Sequence, residues 1–461
     1  MPQAQYRKHA VVIGASMAGL LAARVLTDHY EQVTLIERDA FPPEGEHRRG
    51  VPQGRHTHGL LVSGGRVLER FFPGIRDELI DGGAVLGDIV RDSRWFLEGG
   101  CLHKFPSGLH GLLMSRPFLE GKVRRHVMGL PNVQIRQGCD VEGLATTEDQ
   151  GRVTGIKTPG EIVPADLVVD ASGRGSHSPQ WLGAMGYAKP PEERVEIAMG
   201  YTTRLFHRSS RDLNGDGAVI IPPTPESKRA GAMLAQEGDR WTVTLISYFG
   251  NYAPAELEGF IEFARNLPGP FIYEVIRHAE PISEPASARF PASVRRRYEK
   301  LDRFPDGFLV FGDAISSFNP MYGQGMSVAA LEAVALAETL AQGSSDLARR
   351  FFRRAARIVD IPWSIAAGGD LRIPETIGPR NAVVNFINWY IAKLHKAAHH
   401  DPVTALAFHK VGNLLAPPLS VMDPRIVARV LWGNLRHGVQ PNSSMFSAKD
   451  IGQQSANRKP Q

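Results

Sequence analysis

The chain contains little cysteine. Cys101 and Cys139 are its only cysteines among 461 residues, and neither forms a CxxC pair or a Cys/His cluster with the spacing of zinc ligands. A small disulfide scaffold is therefore excluded. One disulfide stays open as an alternative, but a reduced, cytoplasmic protein is the simpler prediction.

Segments that would enter a membrane are also lacking. The longest uncharged stretch of the C-terminal half, residues 314–331, contains Asn319, Pro320, Gln324 and two glycines, which a lipid-exposed helix would not carry. The apolar stretch at residues 11–26 carries Arg24 and is not followed by a small-residue cleavage site. We therefore predict neither a transmembrane segment nor a signal peptide.

The chain has no large excess of charge of one sign. Its 53 basic and 48 acidic residues leave a net charge of +5, which is too weak a bias to predict a nucleic-acid partner. Glycine (47 residues) and proline (33 residues) are abundant, and 43% of residues are hydrophobic. Length and composition predict a globular protein of more than one domain, with many tight turns or close backbone approaches.

The order of apolar runs and turns predicts a mixed α/β fold. A β-branched run, a glycine turn, an Ala/Leu-rich segment to about residue 29 and a second apolar run ending at Glu37 are typical of a βαβ unit. Further strands are predicted at 163–171, 219–221, 241–249 and 308–311, and helical regions at 326–359 and 381–436.

The first glycine turn reads Gly14-x-Ser16-x-x-Gly19. In a βαβ unit the first glycine makes the tight turn, the last lets the helix pack on the strand, and the helix N-terminus binds a pyrophosphate. Glu37 would accept hydrogen bonds from a pair of ribose hydroxyls. Ser16 departs from the usual middle glycine, but the whole pattern predicts a dinucleotide site.

Two later turns repeat this organisation. The second follows a strand and reads Asp170-Ala-Ser-Gly173, where small residues indicate a close approach to the backbone; an ordinary strand-to-loop turn is the alternative. In the third, a strand ends in Gly312-Asp313, and a glycine-rich loop then opens a helix at about Ser327. The acidic residue at the strand end would accept a hydrogen bond from a second sugar-like hydroxyl, and the N-terminus of the helix would stabilise a second negative charge. An ordinary capped helix after a turn is the alternative.

Three such turns in this order resemble the FAD-dependent monooxygenases of the para-hydroxybenzoate hydroxylase fold. The resemblance implies a Rossmann-like FAD-binding domain, a sheet-based substrate domain and a C-terminal helical region. It implies that the first turn and Glu37 hold the ADP half of FAD, that Asp313 holds the ribityl chain, and that the third loop lies against the isoalloxazine. The predicted FAD-binding residues are Gly14, Ser16, Met17, Ala18, Gly19, Glu37, Arg38, Arg49, Arg116, Ala171, Ser172, Gly173, Gly312, Asp313, Pro320, Gly323, Gln324, Gly325 and Met326.

A narrower similarity covers most of the chain. Residues 48–61, 170–176, 370–374 and 400–402 are similar to the flavin epoxidases of polyether-antibiotic biosynthesis, of the lasalocid and monensin type. That similarity implies secondary metabolism and oxygen transfer to alkenes of a polyketide-type substrate. Residues 171–173 read Ala-Ser-Gly and so depart from the Asp-Gly form usual in the wider group of the para-hydroxybenzoate hydroxylase fold, which argues against a pyridine-nucleotide contact there.

The predicted activity is transfer of one oxygen atom from a flavin C4a-hydroperoxide to a largely apolar substrate, by epoxidation or hydroxylation. No catalytic side chain is assigned. NADPH or NADH would supply electrons, directly or through a separate flavin reductase. Alternatives are a flavin-dependent reductase or dehydrogenase and a halogenase, although the halogenase Trp-x-Trp-x-Ile-Pro motif is absent. A non-catalytic binder of lipid or partner is a further alternative.

Other side chains have competing interpretations. His56 and His58 are more typical of a loop or a flavin-facing segment than of a metal site, and no metal is predicted. Arg48, Arg49 and Arg55 would contact phosphates or form a solvated basic loop. The arginines of residues 349–357 favour a solvated helix face over a docking patch for an acyl carrier protein. The aromatic candidates for a substrate pocket or for core packing are Trp95, Trp241, Phe249 and Tyr322.

The predicted domains alternate along the chain. FAD-binding segments are residues 1–75, 111–190 and 296–360; substrate-domain segments are 76–110 and 191–295; a helical region at 361–437 precedes a flexible tail at 438–461.

Overall fold

The computed structural model describes residues 7–437, which form eighteen strands and twelve α-helices. In chain order the strands are β1 (Arg7–Ile13), β2 (Tyr30–Glu37), β3 (Val85–Asp88), β4 (Ser93–Leu97), β5 (Gly100–Cys101), β6 (His110–Leu113), β7 (Val133–Gln137), β8 (Gly143–Thr146), β9 (Val153–Thr158), β10 (Glu161–Pro164), β11 (Leu167–Asp170), β12 (Glu192–His207), β13 (Ala218–Ile221), β14 (Arg229–Gln236), β15 (Arg240–Tyr248), β16 (Ala286–Arg296), β17 (Phe308–Val310) and β18 (Ser316–Ser317). The helices are α1 (Met17–Leu26), α2 (Val62–Phe71), α3 (Ile75–Asp81), α4 (Arg116–Met128), α5 (Ser178–Ala184), α6 (Leu257–Arg265), α7 (Phe271–Ile276), α8 (Gly325–Leu340), α9 (Leu347–Asp370), α10 (Ala382–Ala398), α11 (Pro402–Gly412) and α12 (Pro424–His437).

A five-stranded parallel sheet forms the centre of the first layer, in the order β17-β11-β1-β2-β7. Its strands are short and apolar on both faces, as expected for a parallel sheet covered by helices. Helices α1 and α8 pack against each other beside this sheet, and Val11, Val12 and Leu20 are fully buried in its core. The two apolar runs of the predicted βαβ unit and the predicted strand at 308–311 are confirmed as β1, β2 and β17.

The second layer is an eight-stranded, mainly antiparallel sheet in the order β18-β16-β12-β15-β14-β13-β4-β5. One face packs against α6 and α7 through Phe206, Trp241 and Phe260, which are fully buried. The opposite face carries Met199 and Tyr201 toward a cavity described below. The mixed α/β fold class is confirmed.

Two predicted elements were wrong in their extent. Residues 163–171 are not one strand, because Val163 and Pro164 end β10, which is antiparallel to β9, whereas β11 joins the parallel sheet. The helical pattern of 326–359 is also divided, since α8 ends before Gly343 and α9 begins at Leu347.

The break between α8 and α9 gives a structural role to some of the arginines at residues 349–357. Arg350 donates hydrogen bonds to the carbonyls of Thr339, Gly343 and Ser345, so it satisfies carbonyl groups at the end of α8. Arg354 pairs with Glu338 at 2.6 Å. These contacts favour a structural role for this face over a docking patch.

Helices α10 to α12 form a separate group at the end of the described chain, with a small core of their own. As predicted, prolines interrupt this region, and Pro402 and Pro424 begin α11 and α12. No helix among residues 7–437 is long and apolar enough to cross a membrane. The domain boundaries stay a prediction, and the tail at 438–461 lies outside the described residues.

Candidate cofactor and substrate site

The first turn joins β1 to α1 and requires glycine at both ends. Gly14 has φ +94°, and a Cβ there would lie 2.8 Å from the carbonyl oxygen of Ala171. A Cβ on Gly19 would lie 1.8 Å from the carbonyl oxygen of Gly14. The helix therefore begins in close contact with the strand, and its first turn, which includes Met17 and Ala18, leaves N–H groups for an anion.

Glu37 ends β2 beside this turn and is buried. Its Oε2 accepts a hydrogen bond from the backbone N–H of Ala15 at 2.9 Å and lies 2.5 Å from Nη2 of Arg48. Nη1 of Arg48 donates to Glu120 Oε1 at 2.7 Å and to the carbonyl of Ala15 at 3.0 Å. Arg48 is thus a buried bridge between two carboxylates; burial alone would lower its pKa, but Glu120 and Glu37 raise it. Arg38 is exposed.

Glu120 is a site residue that sequence reasoning missed. It lies on α4, one helical turn after Arg116, and its Oε2 accepts a hydrogen bond from the Ser16 hydroxyl at 2.9 Å. Nη2 of Arg116 donates to the same hydroxyl at 2.8 Å. The only available signal was the i, i+4 spacing of an arginine and a glutamate. Arg49 and Arg55, by contrast, are exposed.

The second turn is held together mainly by its own residues. Asp170 is fully buried, and its carboxylate accepts hydrogen bonds from the hydroxyls of Ser172, Ser176 and Ser178. These contacts explain the small polar residues without a ligand. The carbonyl of Ala171 nevertheless lies against Gly14, which places the second turn beside the first. A cofactor contact through Ala171, Ser172 or Gly173 stays a prediction.

The third turn lies next to the first. A Cβ on Gly312 would lie 2.8 Å from the Cβ of Ala18. Asp313 follows, and among residues 7–437 its carboxylate has no hydrogen-bond or ion-pair partner. Burial raises the pKa of Asp313, and the positive charges of Arg116 and Arg174 oppose that shift. An unpartnered, half-buried carboxylate at a strand end is the arrangement that a ligand hydroxyl would complete.

The loop after Asp313 leads into the N-terminus of α8. Gln324 is buried, and its Oε1 has no partner in the described chain. Gly325 begins the helix, Met326 is buried, and Pro320 is exposed before a tight turn at Gly323. Under the turn, Glu332 accepts a hydrogen bond from the N–H of Gly312 at 2.7 Å. Burial raises the pKa of Glu332 to about 8, and sequence reasoning did not find this residue.

A second buried carboxyl group contacts the loop after Asp313 through hydrogen bonds. Asp370, at the end of α9, accepts a hydrogen bond from Nδ2 of Asn319 at 2.8 Å and lies 3.3 Å from the hydroxyl of Tyr322. The same amide group donates to Tyr248 at 2.8 Å. Burial raises the pKa of Asp370 to about 8. The loop of the third turn is therefore held in place by hydrogen bonds to α9 and β15.

A cavity of about 260 Å³ lies between this loop, the eight-stranded sheet, the β3–β6 pair and α11. Its wall is mostly apolar, and the large apolar side chains are Leu60, Leu61, Val85, Leu86, Ile89, Trp95, Leu112, Leu113, Met199, Tyr201, Ile220, Leu234, Ile246, Met321 and Phe408. Tyr322 and Gly323 also line it, so the loop of the third turn forms one wall. Of the four aromatic candidates, Trp95 and Tyr322 line the cavity, whereas Trp241 and Phe249 do not.

His56 and His58 both face the cavity. Burial lowers the pKa of His56 to about 4 and that of His58 to about 3, so both are neutral at pH 7. Nδ1 of His58 lies 2.9 Å from the carbonyl of His56 and must donate to it, which leaves Nε2 as an acceptor facing Arg116 at 3.5 Å. His56 contacts Thr203 at 2.8 Å. No group of three or more His, Cys, Asp or Glu that could hold a metal ion occurs among residues 7–437.

Comparison with known proteins places the chain in a family. It is 34% identical over 456 residues to Protein Rv3254 of Mycobacterium tuberculosis, and the match covers 93% of this chain and 94% of that protein. The chain belongs to the Rv3254 family. It is also 24% identical over 367 residues to kynurenine 3-monooxygenase of Salinispora arenicola, with 72% of each chain covered. No family model matches the sequence.

Solved structures show the fold. PqsL of Pseudomonas aeruginosa, described as a probable FAD-dependent monooxygenase, superposes with a TM-score of 0.61 at 18% identity, covering 80% of this chain and 99% of that one. A flavoprotein/dehydrogenase of Cytophaga hutchinsonii gives 0.65 at 14% identity, with 93% and 99% covered. The flavin-dependent brominase Bmp2 gives 0.59 at 15% identity, with 92% and 94% covered. The chain therefore has the fold of FAD-dependent monooxygenases and related flavoproteins.

Proposed function

We propose that the protein is an FAD-dependent monooxygenase that adds one oxygen atom to a largely apolar secondary metabolite, by epoxidation or hydroxylation. One observation carries the proposal: the loop of the third turn, which is predicted to lie against the flavin, is also a wall of the apolar cavity. A substrate in that cavity would lie directly beside the reactive ring.

The residues of the first and third turns fit FAD. The N-terminus of α1 suits the pyrophosphate, Glu37 retains acceptor capacity for ribose hydroxyls, and Asp313 has a free carboxylate for the ribityl chain. The N-terminus of α8 suits negative charge on the ring edge. When bound and reduced, FAD supplies the chemistry that activates dioxygen.

The side chains around the cavity would orient the substrate and exclude water. Its wall is mainly apolar, and the neutral His58 presents an acceptor nitrogen between the cavity and Arg116. Asp88 lines the cavity but is committed to hydrogen bonds from Ser107 and neighbouring backbone groups, which hold its pKa well below the usual range despite burial. Epoxidation of an alkene needs no general base, so no catalytic side chain is assigned.

Several finer points belong to the same proposal. The substrate is of the type that polyether epoxidases oxidise, and it is free or held on an acyl carrier protein. NADPH or NADH supplies electrons, either directly or through a separate flavin reductase. The two cysteines are free, which supports a reducing, cytoplasmic location. A reductase or dehydrogenase is the second candidate, because the Cytophaga flavoprotein shares the fold.

Titration of the purified chain with FAD tests the cofactor assignment. We expect saturable binding with flavin fluorescence quenching, and Asp313→Ala should weaken affinity about tenfold to a hundredfold through the lost charged hydrogen bond. Asp306→Ala is the matched control, because Asp306 is exposed and precedes β17, the strand that Asp313 follows. Absence of FAD binding would refute the enzyme assignment, and equal affinity of Asp313→Ala would refute the role of the third turn.

Turnover under ¹⁸O₂ tests the reaction class. Linear polyenes of polyketide type, with FAD, NADPH and a flavin reductase, should gain one labelled oxygen atom by mass spectrometry. A gain of two hydrogens without oxygen would identify a reductase, and a bromide-dependent halogenated product would identify a halogenase.

A further inference from the structure

Helix α10 carries an apolar stripe that the protein covers over only half its length. Val383, Phe386 and Ile387 occupy the same face as Tyr390 and Leu394, at i, i+3, i+4 and i+7 spacing. The last two are 4% and 0% exposed, whereas the first three are 64%, 51% and 48% exposed. The first two turns of α10 therefore present an apolar face that no other described residue covers.

Helix α12, packed against α10, presents a similar face. Leu431, Trp432 and Leu435 are 53%, 66% and 76% exposed. Arg425 and Arg436 lie along the edge of this apolar face and are also exposed. An apolar strip bordered by arginines and carrying an exposed tryptophan is the pattern of a helix that lies in a lipid interface.

The charge of the region favours an anionic partner. Helices α10, α11 and α12 contain six Lys and Arg residues and no Asp or Glu, namely Lys393, Lys396, Lys410, Arg425, Arg429 and Arg436. Arg429 pairs with Asp401, which lies just before α11. A second copy of the chain would bring like charges together across a symmetric contact. The tail at 438–461 carries three basic residues and one acidic residue, so it does not complement this surface either.

We propose that the exposed face of α10 and α12 docks on a membrane surface that contains anionic lipid. The apolar side chains enter the headgroup region and the arginines contact lipid phosphates, while the chain lies on the bilayer without a spanning helix. This inference does not depend on the proposed enzymatic activity, because it rests on a surface separate from the cofactor turns.

Vesicle flotation with the full chain tests it. We expect co-flotation with vesicles of phosphatidylcholine and phosphatidylglycerol at a ratio of 7:3, and weak binding to phosphatidylcholine alone (~10-fold less). The double variant Trp432→Ser with Leu435→Ser should lose binding, and Arg425→Gln with Arg436→Gln should weaken it about 10-fold or more on anionic vesicles only. Ile162→Ser is the matched control, because Ile162 is an exposed apolar residue on β10.

Other results would overturn the membrane proposal or assign this surface to a different partner. Failure of the unmodified chain to float with anionic vesicles would overturn the proposal, as would flotation unaffected by the α12 variants. Light scattering that shows a dimer converted to a monomer by Trp432→Ser with Leu435→Ser would assign the surface to a second copy. Binding that appears only after deletion of residues 438–461 would assign it to the tail.

Discussion

Glu37 ends β2 and Asp313 follows β17 in the same parallel sheet, yet their surroundings differ. Glu37 is paired with Arg48 and accepts a backbone hydrogen bond, whereas Asp313 has neither kind of partner in the described chain. The proposed ADP end of the candidate site is thus paired within the protein, whereas the carboxylate of Asp313 at the proposed flavin end has no partner in the described chain. The ion pairs of Glu37 therefore contribute to folding, and we propose that Asp313 contributes mainly to binding.

The largest expected effect comes from breaking the ion pairs of Arg48. Arg48→Met should lower the free energy of unfolding by about 3–5 kcal/mol, because Glu37 remains buried without its cation and Glu120 keeps only the longer ion-pair contact with Arg116 at 3.5 Å. Urea denaturation at pH 7 measures it. The triple variant with Glu37→Gln and Glu120→Gln should recover much of the loss, and a loss below 1 kcal/mol for Arg48→Met would contradict this interpretation.

A smaller loss should follow from steric contact within the first turn. Gly14→Ala should destabilise the protein by about 1–3 kcal/mol, because its Cβ would approach the Ala171 carbonyl at a positive φ. Gly45→Ala is the control, since Gly45 also has a positive φ but nothing lies within 4 Å of the added Cβ. Equal losses in both variants would show that φ alone matters and would remove the evidence for close packing.

Next to the third turn, the buried Glu332 should make stability depend on pH. Its pKa is raised to about 8 from an ordinary value of 4.5, so the folded state retains a proton that the unfolded chain releases between those values. Stability should therefore be highest below about pH 4.5 with respect to this group, and fall as pH rises toward 8, by up to about 1.4 kcal/mol per pH unit. Glu332→Gln should reduce that slope in urea denaturation at pH 5, 6.5 and 8. An unchanged slope would place the titration elsewhere.

The smallest stability effect is expected at Asp313, and its sign is opposite to that of Arg48. Asp313→Asn should leave the free energy of unfolding without FAD unchanged or raise it by less than about 1 kcal/mol, because it removes an unpartnered carboxylate. Thermal unfolding with and without FAD should show that the stabilisation by FAD falls. A clear loss of stability without FAD would erase the contrast between the two ends.

The sequence contains enough information for elements that depend on local pattern. Gly14, Gly19 and Glu37 lie within one βαβ unit, where strand, turn and helix are neighbours in the chain, and the structure brings them together as predicted. The roles of Arg48 and Glu120 were not predictable in this way, because their contact joins a loop to a helix about seventy residues away, a separation at which no periodicity operates. The burial of Glu332 and Asp370 was not predictable either, because in the sequence they resemble ordinary exposed helix residues and only tertiary packing buries them.

The residues that line the cavity were also not predictable from local sequence patterns. Its walls come from the third turn, the antiparallel sheet and α11, and no local motif distinguishes Phe408 and His409 of α11. Because α11 lies far from the turns at Gly14 and Asp170 in the chain, substitutions in α11 reshape the cavity without changing the residues of those turns. Under the proposed function, related proteins would thus diverge in the compounds they accept through a few changes in one peripheral helix, while the proposed cofactor turns stay unchanged.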